Sequence, residues 1–132
     1  MKKLFVTLIL LFSVLMFSST SFAKWVNVAK NDDGTRFFID DENIRVHGGY
    51  VYYWRMDSSL KPDEYGDLSL QIYYQGDCNK FRVKTLTYIW FKGQMGKGSA
   101  KSEESANKNW KYPSPGTVAL LMLKRICAYS GR

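Results

Sequence analysis

The sequence predicts an α+β domain: an antiparallel sheet of about five to six strands, one C-terminal helix packed on one of its faces, and a single disulfide. Three observations carry this. Aromatic and β-branched runs at period-two spacing, separated by turn signals, fill the chain from residue 25 to residue 91. One stretch, residues 117 to about 129, instead has the period of a helix. Two cysteines, Cys78 and Cys127, lie in a chain that carries an export signal.

The export signal comes first in the chain. Lys2 and Lys3 form a positive start, Leu4 to Phe17 is apolar, and Ser18 to Ala23 is polar and small. Ser21 and Ala23 occupy the small positions that a signal peptidase needs, so cleavage is expected between Ala23 and Lys24. The apolar run is shorter than the roughly 20 residues of a membrane-spanning helix. No cysteine stands at the cleavage point to accept a lipid. The short Lys-Lys start points to a bacterial chain, and cleavage then means a periplasmic or secreted protein. The expected organisation is a signal peptide over 1–23 and one domain over 24–132, long enough for a single core.

Within that domain, residues 25–29 alternate and precede the turn signal Asn31-Asp32-Asp33-Gly34. Residues 36–40 return as a second strand, which makes a hairpin. Asp41-Glu42-Asn43 interrupts, residues 44–46 form a third short strand, and Gly48-Gly49 turns the chain into residues 50–56. Residues 57–67, with Pro62 and Gly66, form a loop. In the next strand Leu68, Leu70, Ile72 and Tyr74 alternate with Ser69, Gln71 and Tyr73. Gly76 to Asn79 turns again, and a long strand follows from Lys80 to about Phe91. Uninterrupted alternation puts Val83, Thr85, Thr87 and Ile89 on one face. It puts Lys80, Arg82, Lys84, Leu86, Tyr88 and Trp90 on the other.

Residues 92–112 change character, with Gly93, Gly96, Gly98 and many polar positions. They read as a long polar loop with a helical turn near Glu103. Pro113 to Gly116 punctuates the chain before the helix. Val118, Leu120, Leu121, Met122, Leu123, Ile126 and Cys127 form its wide apolar arc, and Lys124 and Arg125 suit the negative end of its dipole. In an oxidising compartment Cys78 and Cys127 are expected to bridge, tying the helix end to the 76–79 turn. Closing a loop of about 50 residues stabilises the fold by roughly 4 kcal/mol on the chain-entropy account.

Enzyme chemistry finds little support. The chain has one histidine, His47, beside the Gly48-Gly49 turn, where a surface role is expected rather than catalysis, and no second histidine stands by for a metal site. Asp40, Asp41 and Glu42 are consecutive, so their side chains diverge and suit a turn better than acid–base work. Gly93-x-x-Gly96-Lys97-Gly98-Ser99 lacks the spacing of a phosphate-binding loop. No catalytic residue, metal or cofactor is expected, and nucleic acid is not an expected partner outside the cytoplasm.

The charge points to binding. The formal net charge of +7 falls to +5 when Lys2 and Lys3 are removed. A basic exported domain favours anionic partners, and the same charge serves solubility. Lys80, Arg82 and Lys84 form a cationic row, which Lys97 and Lys101 of the following loop extend; the other reading of such a row is a solvated sheet edge. All four Trp and nine Tyr lie after Ala23. Tyr53, Tyr73, Tyr88 and Trp90 share faces with polar residues, which fits protein binding or a sheet covered on both sides. The candidate binding residues are therefore Lys80, Arg82, Lys84, Lys97, Lys101 and Trp90.

One set of features, in order, has a known look. It comprises Trp25-Val26, Phe37-Phe38-Ile39-Asp40, Ile44-Arg45, Val51-Tyr52-Tyr53-Trp54, Tyr73-Tyr74-x-x-Asp77-Cys78 and Phe81-Arg82. Met95-Gly96 with Gly98, Trp110, Pro115-Gly116 and a Leu-rich helix ending in Cys127 follow. The order and spacing of the set resemble the surface-adhesin protein E family of Gram-negative bacteria. The resemblance implies a small sheet domain with a C-terminal helix and one disulfide. It also implies a surface adhesin that binds host extracellular-matrix proteins such as vitronectin and laminin. The family's named member is lipid-anchored, and this chain lacks the cysteine for that anchor. Two readings follow: a non-enzymatic binding protein for matrix proteins, anionic glycans or other anionic surface ligands, or a soluble periplasmic protein that holds a small or lipid-like ligand or inhibits an envelope enzyme.

Overall fold

The computed structural model describes residues 23–130. The expected signal peptide lies, apart from Ala23, outside the described residues. Strands β1 (Trp25–Lys30), β2 (Arg36–Asp40), β3 (Arg45–His47), β4 (Tyr50–Ser58), β5 (Ser69–Asp77), β6 (Arg82–Phe91) and β7 (Ala100–Glu104) precede one helix, α1 (Val118–Tyr129). All pairings are antiparallel, in the order β1-β2-β4-β5-β6-β7, with β3 added beside β4.

Six of the strands lie where alternation places them. The seventh does not: residues 100–104, expected as loop with a helical turn near Glu103, form the edge strand β7. Its residues are all exposed; backbone pairing with β6 defines it, and Thr87 Oγ1 adds a bond to Glu104 Oε1 at 2.9 Å. The 92–112 segment also holds a single 3-10 turn at Gln94–Gly96.

A second difference lies inside β6. Lys84 pairs with Gln75 and Thr85 with Tyr74, but Thr87 pairs with Tyr73, so Leu86 is an extra residue. This bulge shifts the alternation by one. Lys84, Thr87, Ile89 and Phe91 share one face, while Val83, Thr85, Tyr88 and Trp90 share the other. Trp90 and Tyr88 thus stand on the opposite side of the sheet from Arg82 and Lys84. Lys80 falls outside the strand altogether, in the turn that precedes it.

The core lies between α1 and one sheet face. Phe37, Ile39, Val51, Tyr53 and Val83 meet Met122, Leu123, Ile126 and Cys127. Helix and sheet meet at Gly76, where a Cβ would stand 2.9 Å from Val51 and 3.0 Å from Leu123. Only glycine lets the helix approach that near. Thr117 caps the helix by accepting a bond from the Leu120 N–H at 3.3 Å. Cys78 and Cys127 are bridged, which ties the last turn of α1 to the β5–β6 connection.

Candidate functional site

Among the described residues, no α-helix covers the reverse face of the sheet. Residues paired across antiparallel strands share a face, so the register gives its rows. Arg45 pairs with Tyr52, Tyr52 with Gln75, and Gln75 with Lys84, which makes one row across four strands. The next row holds Trp54 and Tyr73, and the one beyond holds Phe38, Met56, Gln71 and Ile89. Tyr73 stacks against Tyr52 with ring centres 6.3 Å apart and against Trp54 at 4.7 Å.

Each end of this face is covered by backbone from the 92–112 segment. At one end the Gln94–Gly96 turn folds over β4 and β5. The Met95 and Gly96 N–H groups donate to Ser58 and Ser69 Oγ at 3.0 and 2.9 Å, and Ser69 Oγ donates to the Gly93 carbonyl at 2.6 Å. Gly96 has φ +69°, and a Cβ there would meet Gln71 at 2.6 Å, so glycine is required. This turn lies against Met56, which is fully buried.

At the other end, Lys111 bridges to Val83 and holds Trp110 over the start of β6. The Trp110 ring lies 5.4 Å from Tyr50, with Arg82 at 4.3 Å and Lys84 at 4.6 Å from its centre. Both distances are those of cation–π contacts. Between the two covers, Tyr52, Trp54, Tyr73 and Gln75 remain only half-buried, and Arg45 is exposed.

Electrostatics separate the cations. Arg82 bonds Asp77 at 2.9 Å. Burial alone would raise the Asp77 pKa, but the Arg82 bond and the Lys80 and Asn79 amides outweigh it and hold the carboxyl below its usual value. Arg45 and Lys84 have no carboxylate partner among the described residues. Burial raises the Tyr73 hydroxyl pKa, against the opposing pull of the nearby Arg45 charge.

The predicted binding residues therefore divide. Arg82 and Lys84 meet at Trp110, Lys80 is exposed in the preceding turn, and Lys97 is exposed beside the Gln94–Gly96 turn. Trp90 and Lys101 pair across β6 and β7 on the helix side. They line a groove of about 690 Å³ with Tyr65, Asp67 and Glu103. Lys92 closes part of it through Asp67 at 3.0 Å and the Tyr65 carbonyl at 2.7 Å. Arg45 and Trp110 were not among the predicted site residues. Arg45 joins the site only through the β3–β4 register, and Trp110 only through a long-range return of the chain. Among the described residues, no three His, Cys, Asp or Glu side chains converge to hold a metal ion.

The model of the surface-adhesin protein E family matches residues 25–128. The chain belongs to that family. The matched span runs from β1 to α1 and includes both cysteines. Solved structures of Haemophilus influenzae protein E share the fold of this family member. One crystal form superposes with a TM-score of 0.66 at 17% identity, over 86% of this chain and 94% of that one. The protein from a non-typeable strain gives a TM-score of 0.56 at 17% identity, over 82% and 86%. No curated protein sequence matches the chain. No helix among the described residues is long and apolar enough to cross a membrane.

Proposed function

We propose that this adhesin-family chain is an exported, non-enzymatic binding protein that attaches to host extracellular-matrix proteins or other anionic surface ligands. The family match across the whole sheet and helix carries the reading. The geometry agrees with it: cations and aromatic rings gather on an open sheet face, and aromatic residues with Arg dominate the energetics of protein contacts. The reading of a lipid-like ligand between helix and sheet finds no support at Gly76, where the two are in direct contact.

The test is binding of the purified protein to immobilised vitronectin and laminin, with and without charge reversal at Lys80, Arg82 and Lys84. Saturable binding that charge reversal weakens supports the adhesin role. Binding no stronger than that of an unrelated basic protein sinks it.

A further inference from the structure

We infer that the sheet face opposite α1 is a docking surface for an anionic polysaccharide, a chain of sugars bearing sulfate or carboxylate groups, laid across the strands along Arg45, Tyr52, Gln75 and Lys84. This deepens the reading of the chain as a binding module and rests on it.

The argument begins with register. The four residues form one unbroken row over β3, β4, β5 and β6, and the Leu86 bulge falls beyond it. Three steps between strands place the two end residues about 14 Å apart at the backbone. Each end is a cation with no carboxylate partner among the described residues. Lys84 is held against Trp110, and Arg45 lies close enough to Tyr73 to affect its titration. Between them stand a phenol hydroxyl and a carboxamide, both half-buried.

Charge complementarity selects an anion, and the spacing selects its shape. A single phosphate or carboxylate cannot span two cations so far apart. A chain with repeated anionic groups and hydroxyls between them matches cation, hydroxyl, amide, cation in turn. The row also argues against an acidic protein segment. Protein partners anchor aromatic or aliphatic side chains in desolvated pockets. Here Tyr52, Tyr73 and Trp54 already lie against one another, so the row offers polar tips rather than a pocket. The Gln94–Gly96 turn lies away from the row, at Ser58 and Ser69, and Trp110 sits against the row at its Lys84 end.

The experiment is surface plasmon resonance on immobilised heparin, using the protein expressed with its own N-terminal segment so that its disulfide forms. The double variant Arg45→Gln/Lys84→Gln is expected to lose about tenfold or more in affinity. Tyr52→Phe and Gln75→Leu, which leave charge unchanged, are expected to lose about threefold each. Lys124→Gln/Arg125→Gln removes the same charge from the exposed side of α1 and should stay within about twofold. If the first double variant unfolds, Tyr52→Phe decides alone.

The inference is overturned if the protein does not bind heparin, or if the helix-side variant loses as much as the Arg45/Lys84 variant. It is also overturned if polyglutamate competes as well as heparin, since the partner is then an acidic polypeptide. Vitronectin and laminin binding that survives Arg45→Gln/Lys84→Gln, with no heparin binding, would leave the adhesin reading standing and remove this one.

Discussion

Under α1 the sheet presents Val51, Tyr53, Gly76 and Val83, all buried, whereas the reverse of the same strands presents Tyr52, Trp54, Gln75 and Lys84, none of them buried. The first set meets aliphatic side chains from the helix, and Tyr53 is so deeply enclosed that burial pushes its hydroxyl pKa far above the usual value. In the second set Tyr52 and Trp54 lie against the Tyr73 ring, and Lys84 lies against Trp110. A sheet with one dry face and one wet face is common among antiparallel folds. The unusual part is that the wet face is aromatic and cationic at once. Rings that bury their faces on each other need no helix to cover them, which leaves their polar tips for a partner.

If stability belongs to one face and recognition to the other, four changes separate them. The largest effect is expected from Cys78→Ser/Cys127→Ser, which frees the end of α1. It should cost about 4 kcal/mol on the chain-entropy account, read as a lower urea midpoint. Leu123→Ala follows at about 3 kcal/mol, because Leu123 is fully enclosed between α1 and the sheet. Its heparin affinity, corrected for the folded fraction, should not change.

Third comes acid sensitivity at Asp77, whose ion pair with Arg82 lies on the reverse face. Its carboxyl titrates below 3.8 in the folded protein. That stabilisation is present above 3.8 and is lost as the pH falls through the folded value. Arg82→Gln removes the Arg82 contribution. Urea midpoints of wild type and variant should therefore draw together as the pH falls below about 4. A gap that stays constant would mean the pair does not act through Asp77.

The smallest effect on stability is expected from Tyr52→Phe, below about 0.5 kcal/mol by thermal melt, since the ring stays and only an accessible hydroxyl leaves. Should Tyr52→Phe cost as much as Leu123→Ala, the reverse face would be a second core and the comparison would fail.

Much of the dry face was legible in the sequence. The hairpin of residues 25–40, the clean alternation from Leu68 to Tyr74 and the apolar arc after Thr117 each follow from period and turn chemistry. The cysteine pair followed from the export signal. The wet face was not legible, for three physical reasons. Ala-Lys-Ser-Glu-Glu has no strand pattern, because every residue of β7 is exposed and none contributes to a core. Thr85 and Thr87 suit either face, so nothing in the sequence of β6 marks the bulge between them. Arg45 and Trp110 reach the site through pairings between distant segments, which local periodicity cannot report.

The extra residue in β6 has an evolutionary side. Leu86 has no partner on β5, so losing one residue there would straighten the ladder and leave both ends of the strand facing as they do now. Losing one far from it would turn the rest of the strand inside out. The middle of β6 therefore works like slack in a tape. A chain without Leu86 would still show Lys84 to one side and Trp90 to the other.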